Sequence, residues 1–200
     1  MTGSPAVGSP TGEPVGAELV LAVPDRPALL GTVAGVLALH RLTVRAADIR
    51  GLDPVGSGPV LLLSWTVVAE FGDLPEPARL RADIRRALDG GLDVARRLAV
   101  RDTAATRRRR PTAPPARVTV APGDSSSRAT VLEVRAHDAP GLLHRIGRAL
   151  DTTGVRVRTA RISTLGADAV DAFYVTDAEG RPLPDDRAAE VARAVEHALS

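Results

Sequence analysis

Apolar positions along the chain fall into short runs whose period switches between strand-like and helix-like. Residues 19–23 form a short buried run, and Leu29, Leu30, Val33, Val36, Leu37 and Leu39 then recur at helical spacing to about His40. Pro27 suits a first helical turn, where its missing N–H would have no partner anyway. Leu42, Val44, Ala46 and Asp48 alternate with Thr43, Arg45, Ala47 and Ile49, which predicts a strand with one solvated face. Residues 51–59, rich in Gly and Pro, predict a loop. The next run, residues 60–69, is apolar or β-branched at nearly every position and includes Trp65, so it predicts a strand covered on both faces. Pro75 and Pro77 open a helix with Leu80, Ile84 and Leu88 on one stripe and Arg79, Arg81, Asp83, Arg85 and Arg86 outside it, and Gly90-Gly91 stops it. Residues 92–100 are read as a closing strand.

The resulting order of strand, helix, strand, strand, helix, strand predicts an α+β, ferredoxin-like (βαββαβ) unit: a four-stranded antiparallel sheet with helices on one face. Residues 102–116 contain Arg107 to Arg110 and three prolines and read as an extended linker. Beyond it come a strand (130–136), a helix (140–153), two strands (155–165 and 169–176) and a helix (185–199), after which no closing strand follows. Residues 117–120, with Val118 and Val120 alternating, are expected to fill that vacant position, as in a circular permutation. The expected organisation is therefore a disordered leader (1–17), a first unit (18–101), a linker (102–116) and a second unit (117–200).

The two units carry the same turn. Asp25-Arg26-Pro27-Ala28-Leu29-Leu30 and Asp138-Ala139-Pro140-Gly141-Leu142-Leu143 each stand between a strand-like and a helix-like run. At this offset of 113 residues Leu19 also meets Leu132, Leu37 meets Leu150, Val44 meets Val157, Arg45 meets Arg158, Ala47 meets Ala160 and Ile49 meets Ile162. A period this long implies two copies of a domain and not a solenoid. The copies are expected to pair edge to edge or through the strand at 60–69.

Composition removes several function classes. All 26 basic residues are arginine, and the 24 acids leave a net charge of only +2, so the basic isoelectric point carries no weight as a sign of nucleic-acid binding. Too few aromatic residues are available for a base-stacking sheet, and the arginine run at 107–110 reads as solvated linker. Without cysteine there is no disulfide framework, thiolate metal site or cysteine nucleophile. The leader lacks the basic and apolar regions of a signal peptide, and no apolar run is long enough to span a bilayer, so a cytoplasmic location is expected. His137, His144, His40 and His197 do not assemble a metal-ligand set. The Asp-x-Asp pair of a nucleotidyltransferase and the lysine of a phosphate-binding loop are both missing. No catalytic residue, metal or cofactor is expected.

A ferredoxin-like unit whose first turn reads Asp-x-Pro-Gly-Leu-Leu resembles the ACT domain, a small regulatory module that binds amino acids. The second copy, from Thr130-Val131-Leu132-Glu133-Val134 through the turn to Val170-Asp171-Ala172-Phe173-Tyr174-Val175-Thr176-Asp177, is similar to the C-terminal ACT domain of the bacterial PII uridylyltransferase/uridylyl-removing enzymes. The resemblance implies two ACT domains that sense glutamine and regulate separate catalytic domains acting on PII. It implies a ligand site at Asp138, Ala139, Pro140, Gly141, Leu142 and Leu143, with Asp25, Arg26, Pro27, Ala28, Leu29 and Leu30 as a second or vestigial one.

Such a ligand presents a carboxylate to the N–H groups of a helix N-terminus, and an ammonium to an acceptor such as Asp138 or Asp25. Gly141 would let the main chain approach the ligand. Each Asp equally suits plain helix capping, and the four leucines suit the core. Ala28 stands where the family prefers glycine, and Ala139 where arginine is common, so the two turns are not expected to be equivalent. The expected partners are an amino acid, the other ACT copy or a homo-oligomer, and separate catalytic domains or PII, with no nucleic acid or membrane. The alternative is a ligand-free ACT-like dimerisation module.

Overall fold

The computed structural model describes residues 16–52, 58, 60–105, 114–121, 128–165 and 168–200. The leader before Gly16, most of the loop at 53–59, the arginine run and the loop at 122–127 lie outside the described residues. The first half contains β1 (Gly16–Pro24), α1 (Leu29–Leu39), β2 (Leu42–Leu52), β3 (Val60–Ala69), α2 (Pro77–Leu88) and α3 (Val94–Ala105). The second contains β4 (Arg117–Val120), β5 (Thr130–His137), α4 (Leu142–Thr152), β6 (Arg156–Leu165), β7 (Asp168–Thr176) and α5 (Asp185–Leu199). Among the described residues no helix is long and apolar enough to cross a membrane.

Among the described residues seven strands join one antiparallel sheet in the order β1-β3-β2-β6-β7-β5-β4. The halves meet edge to edge, where Ala46, Ala47 and Asp48 of β2 pair with Ser163, Ile162 and Arg161 of β6. They do not meet through β3, which lies between β1 and β2. At the far end, β4 pairs antiparallel with β5 and so takes the place of the closing strand that the second half lacks.

Three expectations need correction. Residues 92–100 do not form a strand: they lead into and build α3, leaving β1 as the outer edge of a three-stranded first half. Val94 and Leu98 are one helical turn apart and face the core, and the Asp93 carboxylate accepts the Arg96 N–H at 3.0 Å, a capping geometry that favours the helix. Arg101 then donates to the Ala38 and Leu39 carbonyls and satisfies the end of α1.

The strand β3 is not covered on both faces. Leu61, Leu63, Trp65 and Val67 are buried, while Leu62, Ser64 and Val68 are only half-buried and Thr66 is exposed. Finally, the alternation in β2 is broken by a bulge at Arg45, so Leu42 faces the core before it and Ala47 and Ile49 after it.

The helices make a second layer in which α2, α1, α4 and α5 contact one another in that order. At its centre α1 and α4 touch backbone to backbone. A Cβ on Gly147 would lie 2.6 Å from the Cα and N of Gly31, closer than non-bonded atoms approach. Nearby, the buried His144 Nδ1 donates to the Gly31 carbonyl at 2.7 Å, since a carbonyl can only accept.

Gly147→Ala should therefore destabilise the chain by about 1–3 kcal/mol, because overpacking against main chain outweighs the roughly 1 kcal/mol of helix propensity that alanine gains. Urea unfolding measures this, and an equal or higher midpoint would contradict the close contact.

Candidate interdomain binding turns

Each Asp-x-Pro turn ends in a left-handed residue just before its helix: Ala28 at φ 62° before α1 and Gly141 at φ 77° before α4. Left-handed backbone explains the glycine at position 141, and Ala28 accepts a cost on the order of 1 kcal/mol to do the same. No atom lies within 4 Å of a Cβ built on Gly141, so the space in front of that turn is open. Pro27 and Pro140 precede these residues and lie ahead of the helices instead of inside their first turns. Leu29, Leu30, Leu142 and Leu143 are buried core residues.

The aspartates do not cap their helices, since neither N-terminus has a side-chain cap. Each pairs with the other half. Arg158 Nη1 reaches Asp25 Oδ2 at 3.2 Å, with Arg156 at 3.8 Å, and Arg45 Nη1 reaches Asp138 Oδ2 at 3.4 Å. The two arginines correspond at the repeat offset, and each is the extra residue of a bulge, in β2 between Val44 and Ala46 and in β6 between Val157 and Thr159. A bulge releases one residue from the ladder and re-aims its side chain. Here it turns an arginine across the seam to the opposite turn.

A cavity lies beside each turn, and each is walled by both halves. The first is about 170 Å³, bounded by residues 25–30 with Ile49, Leu61 and Leu63 on one side and Asp151 and residues 154–157 on the other. The second is about 40 Å³, bounded by residues 138–144, by Ala34, Ala38, Leu42, Thr43 and Val44 of the first half, and by Ile162, Thr164, Ala169 and Asp171. Each predicted turn is thus brought together as a group, but the two turns stand at separate cavities.

Two carboxyls that the sequence reading did not select distinguish these cavities. Asp151, in the last turn of α4, accepts the Ala28 N–H at 3.0 Å through Oδ1, while its Oδ2 is buried without a partner among the described residues. Burial pushes this carboxyl above the usual range, against the opposing effects of the Ala28 hydrogen bond and the Arg148 charge. The first turn's N–H is therefore already held by a carboxylate from the other half. At the repeat offset the counterpart of Asp151 is Ala38, which has no carboxylate to offer the second turn.

Asp171 on β7 is 2% exposed and accepts the Ser163 N–H at 3.3 Å. Burial pushes it up to about 7, the Ser163 hydrogen bond opposes the shift, and the Asp138 charge adds to it. Its counterpart follows from register: Ala47 pairs with Trp65 and Ala160 with Phe173, so Asp171 corresponds to Leu63. The loops between the paired strands differ in length, which hides this correspondence from an ungapped repeat.

Within this α+β arrangement of sheet and helices, residues 130–193 match the ACT domain family. The chain carries an ACT domain. Over most of its length it is also similar to bacterial enzymes named bifunctional uridylyltransferase/uridylyl-removing enzyme. It is 63% identical over 189 residues to that of Streptomyces coelicolor, covering 94% of this chain and 22% of the relative. It is 34% identical over 174 residues to that of Gluconobacter oxydans (84% and 18%) and 29% identical over 184 residues to that of Rhodospirillum rubrum (92% and 20%). The chain spans about a fifth of the length of these relatives.

Asp171 makes a measurable contribution to stability. Its folded-state value is about 7 against an ordinary 3.8, so the folded chain keeps a proton that the unfolded chain loses. Stability from this group is present below about pH 4 and is lost as pH rises towards 7. Asp171→Asn should therefore gain on the native chain by about 2 to 4 kcal/mol between pH 4 and pH 8, at about 1.4 kcal/mol per unit. Parallel pH profiles in chemical denaturation would contradict this.

Proposed function

We propose that the chain is a tandem of two ACT-like units forming the amino-acid-sensing region of a PII-modifying uridylyltransferase/uridylyl-removing enzyme, with glutamine as the ligand. The observation that carries this reading is the reciprocal construction of the seam. Each conserved-in-repeat turn faces a cavity whose opposite wall, and whose arginine, come from the other half. A ligand in such a cavity touches both halves, and it shifts their arrangement to the extent that it prefers one arrangement over another. That shift is the signal passed to catalytic domains elsewhere in the enzyme. A cytoplasmic location follows from the same reading.

The first cavity, at about 170 Å³, has room for an amino-acid-sized ligand. The second, at about 40 Å³, holds one or two water-sized groups and takes a whole amino acid only by opening towards its mouth. The ligand's carboxylate would meet the N–H groups at a helix N-terminus, and its ammonium a carboxylate of the seam. A second reading, a ligand-free interaction module, is favoured by one observation: Asp151 already satisfies the Ala28 N–H, as a ligand carboxylate would.

Calorimetric titration of the purified chain with glutamine, with other amino acids as controls, separates the two. The sensing reading expects saturable binding, and the part of it at the second turn weakens at least tenfold in Gly141→Val, whose side chain projects into the open space before that turn. Absence of binding by any amino acid would favour the interaction module.

A further inference from the structure

The second cavity contains a group that the fold itself does not require. In the first half the corresponding position is Leu63, fully buried at the wall of its own cavity, so an apolar side chain serves the packing at this point of the sheet. In the second half the same point carries the Asp171 carboxyl, 2% exposed and bordering the cavity. Among the described residues its hydrogen bond is from the Ser163 N–H to Oδ1 at 3.3 Å, and a carboxyl has the capacity to accept more than one. Asp138 borders the same cavity and its charge acts on Asp171 unfavourably. Arg45 pairs with Asp138 and is half exposed. A buried carboxyl costs stability once it is ionised, and a donor entering the cavity would offset that cost.

We propose that Asp171 is a specificity-determining residue of the second turn, accepting a hydrogen bond from a ligand nitrogen, either an ammonium or a side-chain carboxamide. The proposal rests on the amino-acid-sensing reading and extends it. The cavity volume of about 40 Å³ suits a nitrogen head group and not a whole amino acid, so the rest of the ligand stands towards Gly141 and Arg45. A donor seated there meets Asp171 below and Asp138 beside it, and it relieves the repulsion between them. The first cavity has Leu63 at this point and a different carboxyl, Asp151, at its wall, so the Asp171 contact is particular to the second turn.

The test uses the full chain and calorimetry at pH 8 with two probes, glutamine and glutarate, which has neither nitrogen. Wild type should bind glutamine at least tenfold more tightly than glutarate. Asp171→Asn should lose at least tenfold in glutamine affinity, and Asp171→Leu, carrying the residue that the first half uses, should lose that preference altogether. Thermal melting shows that each variant is folded, with a midpoint no lower than that of wild type. Wild-type binding that both folded variants retain would overturn the role of Asp171 and leave the sensing reading in place. Failure of wild type to bind any amino acid would overturn both.

Discussion

The contact on which the rest of this structure depends is the one between α1 and α4, where Gly31 and Gly147 bring two helix backbones together with no side chain between them. A sheet that is continuous across β2 and β6 fixes the spacing of the strands, and helices lying on it must approach closely if they are to cover the seam. Gly147 permits that approach, and the His144 hydrogen bond to the Gly31 carbonyl fixes the helices in register. The halves consequently share one sheet and one helical layer.

With the seam closed, each strand-to-helix turn is placed against the other half. Both bulges follow the same logic, since Arg45 and Arg158 leave their ladders at corresponding points and cross to Asp138 and Asp25. These pairs are partly exposed, and exposed ion pairs contribute little to stability, typically about 0–1 kcal/mol. Their importance lies in position: each ties a turn of one half to a strand of the other, at an aspartate that borders a cavity. The cavities differ below the mouth. One is roomy, with Asp151 holding the turn's N–H, and the other is narrow, with Asp171 at its base.

Much of the fold was legible in the sequence because it is written in local periodicity. The helices after each turn, the long apolar strand at β3 and the edge strand at β4 all follow from apolar spacing and the placement of Gly and Pro. The segment 92–100 was misread because Leu92 and Val94 alternate like a strand. The helical signal there lies in Asp93 as a cap and in the spacing of Val94 and Leu98. The double covering expected of β3 failed because apolar content on an outward face does not say what, if anything, lies against it.

The turns were legible as a repeated element, but the residues of the other half that pair with them were not. Arg45, Arg158 and Asp151 reach the turns of the opposite half only because β2 pairs with β6, and Asp171 reaches the second turn through the pairing of β5 with β7. The central claim is that ligand recognition is shared across this seam. A crystal structure of the chain soaked with glutamine tests it most directly. It should show the ligand between the halves, in contact with residues 25–30 or 138–143 and with at least one side chain of the opposite half. A ligand bound wholly within one half, or at the outer edge of β1 or β4, would contradict it.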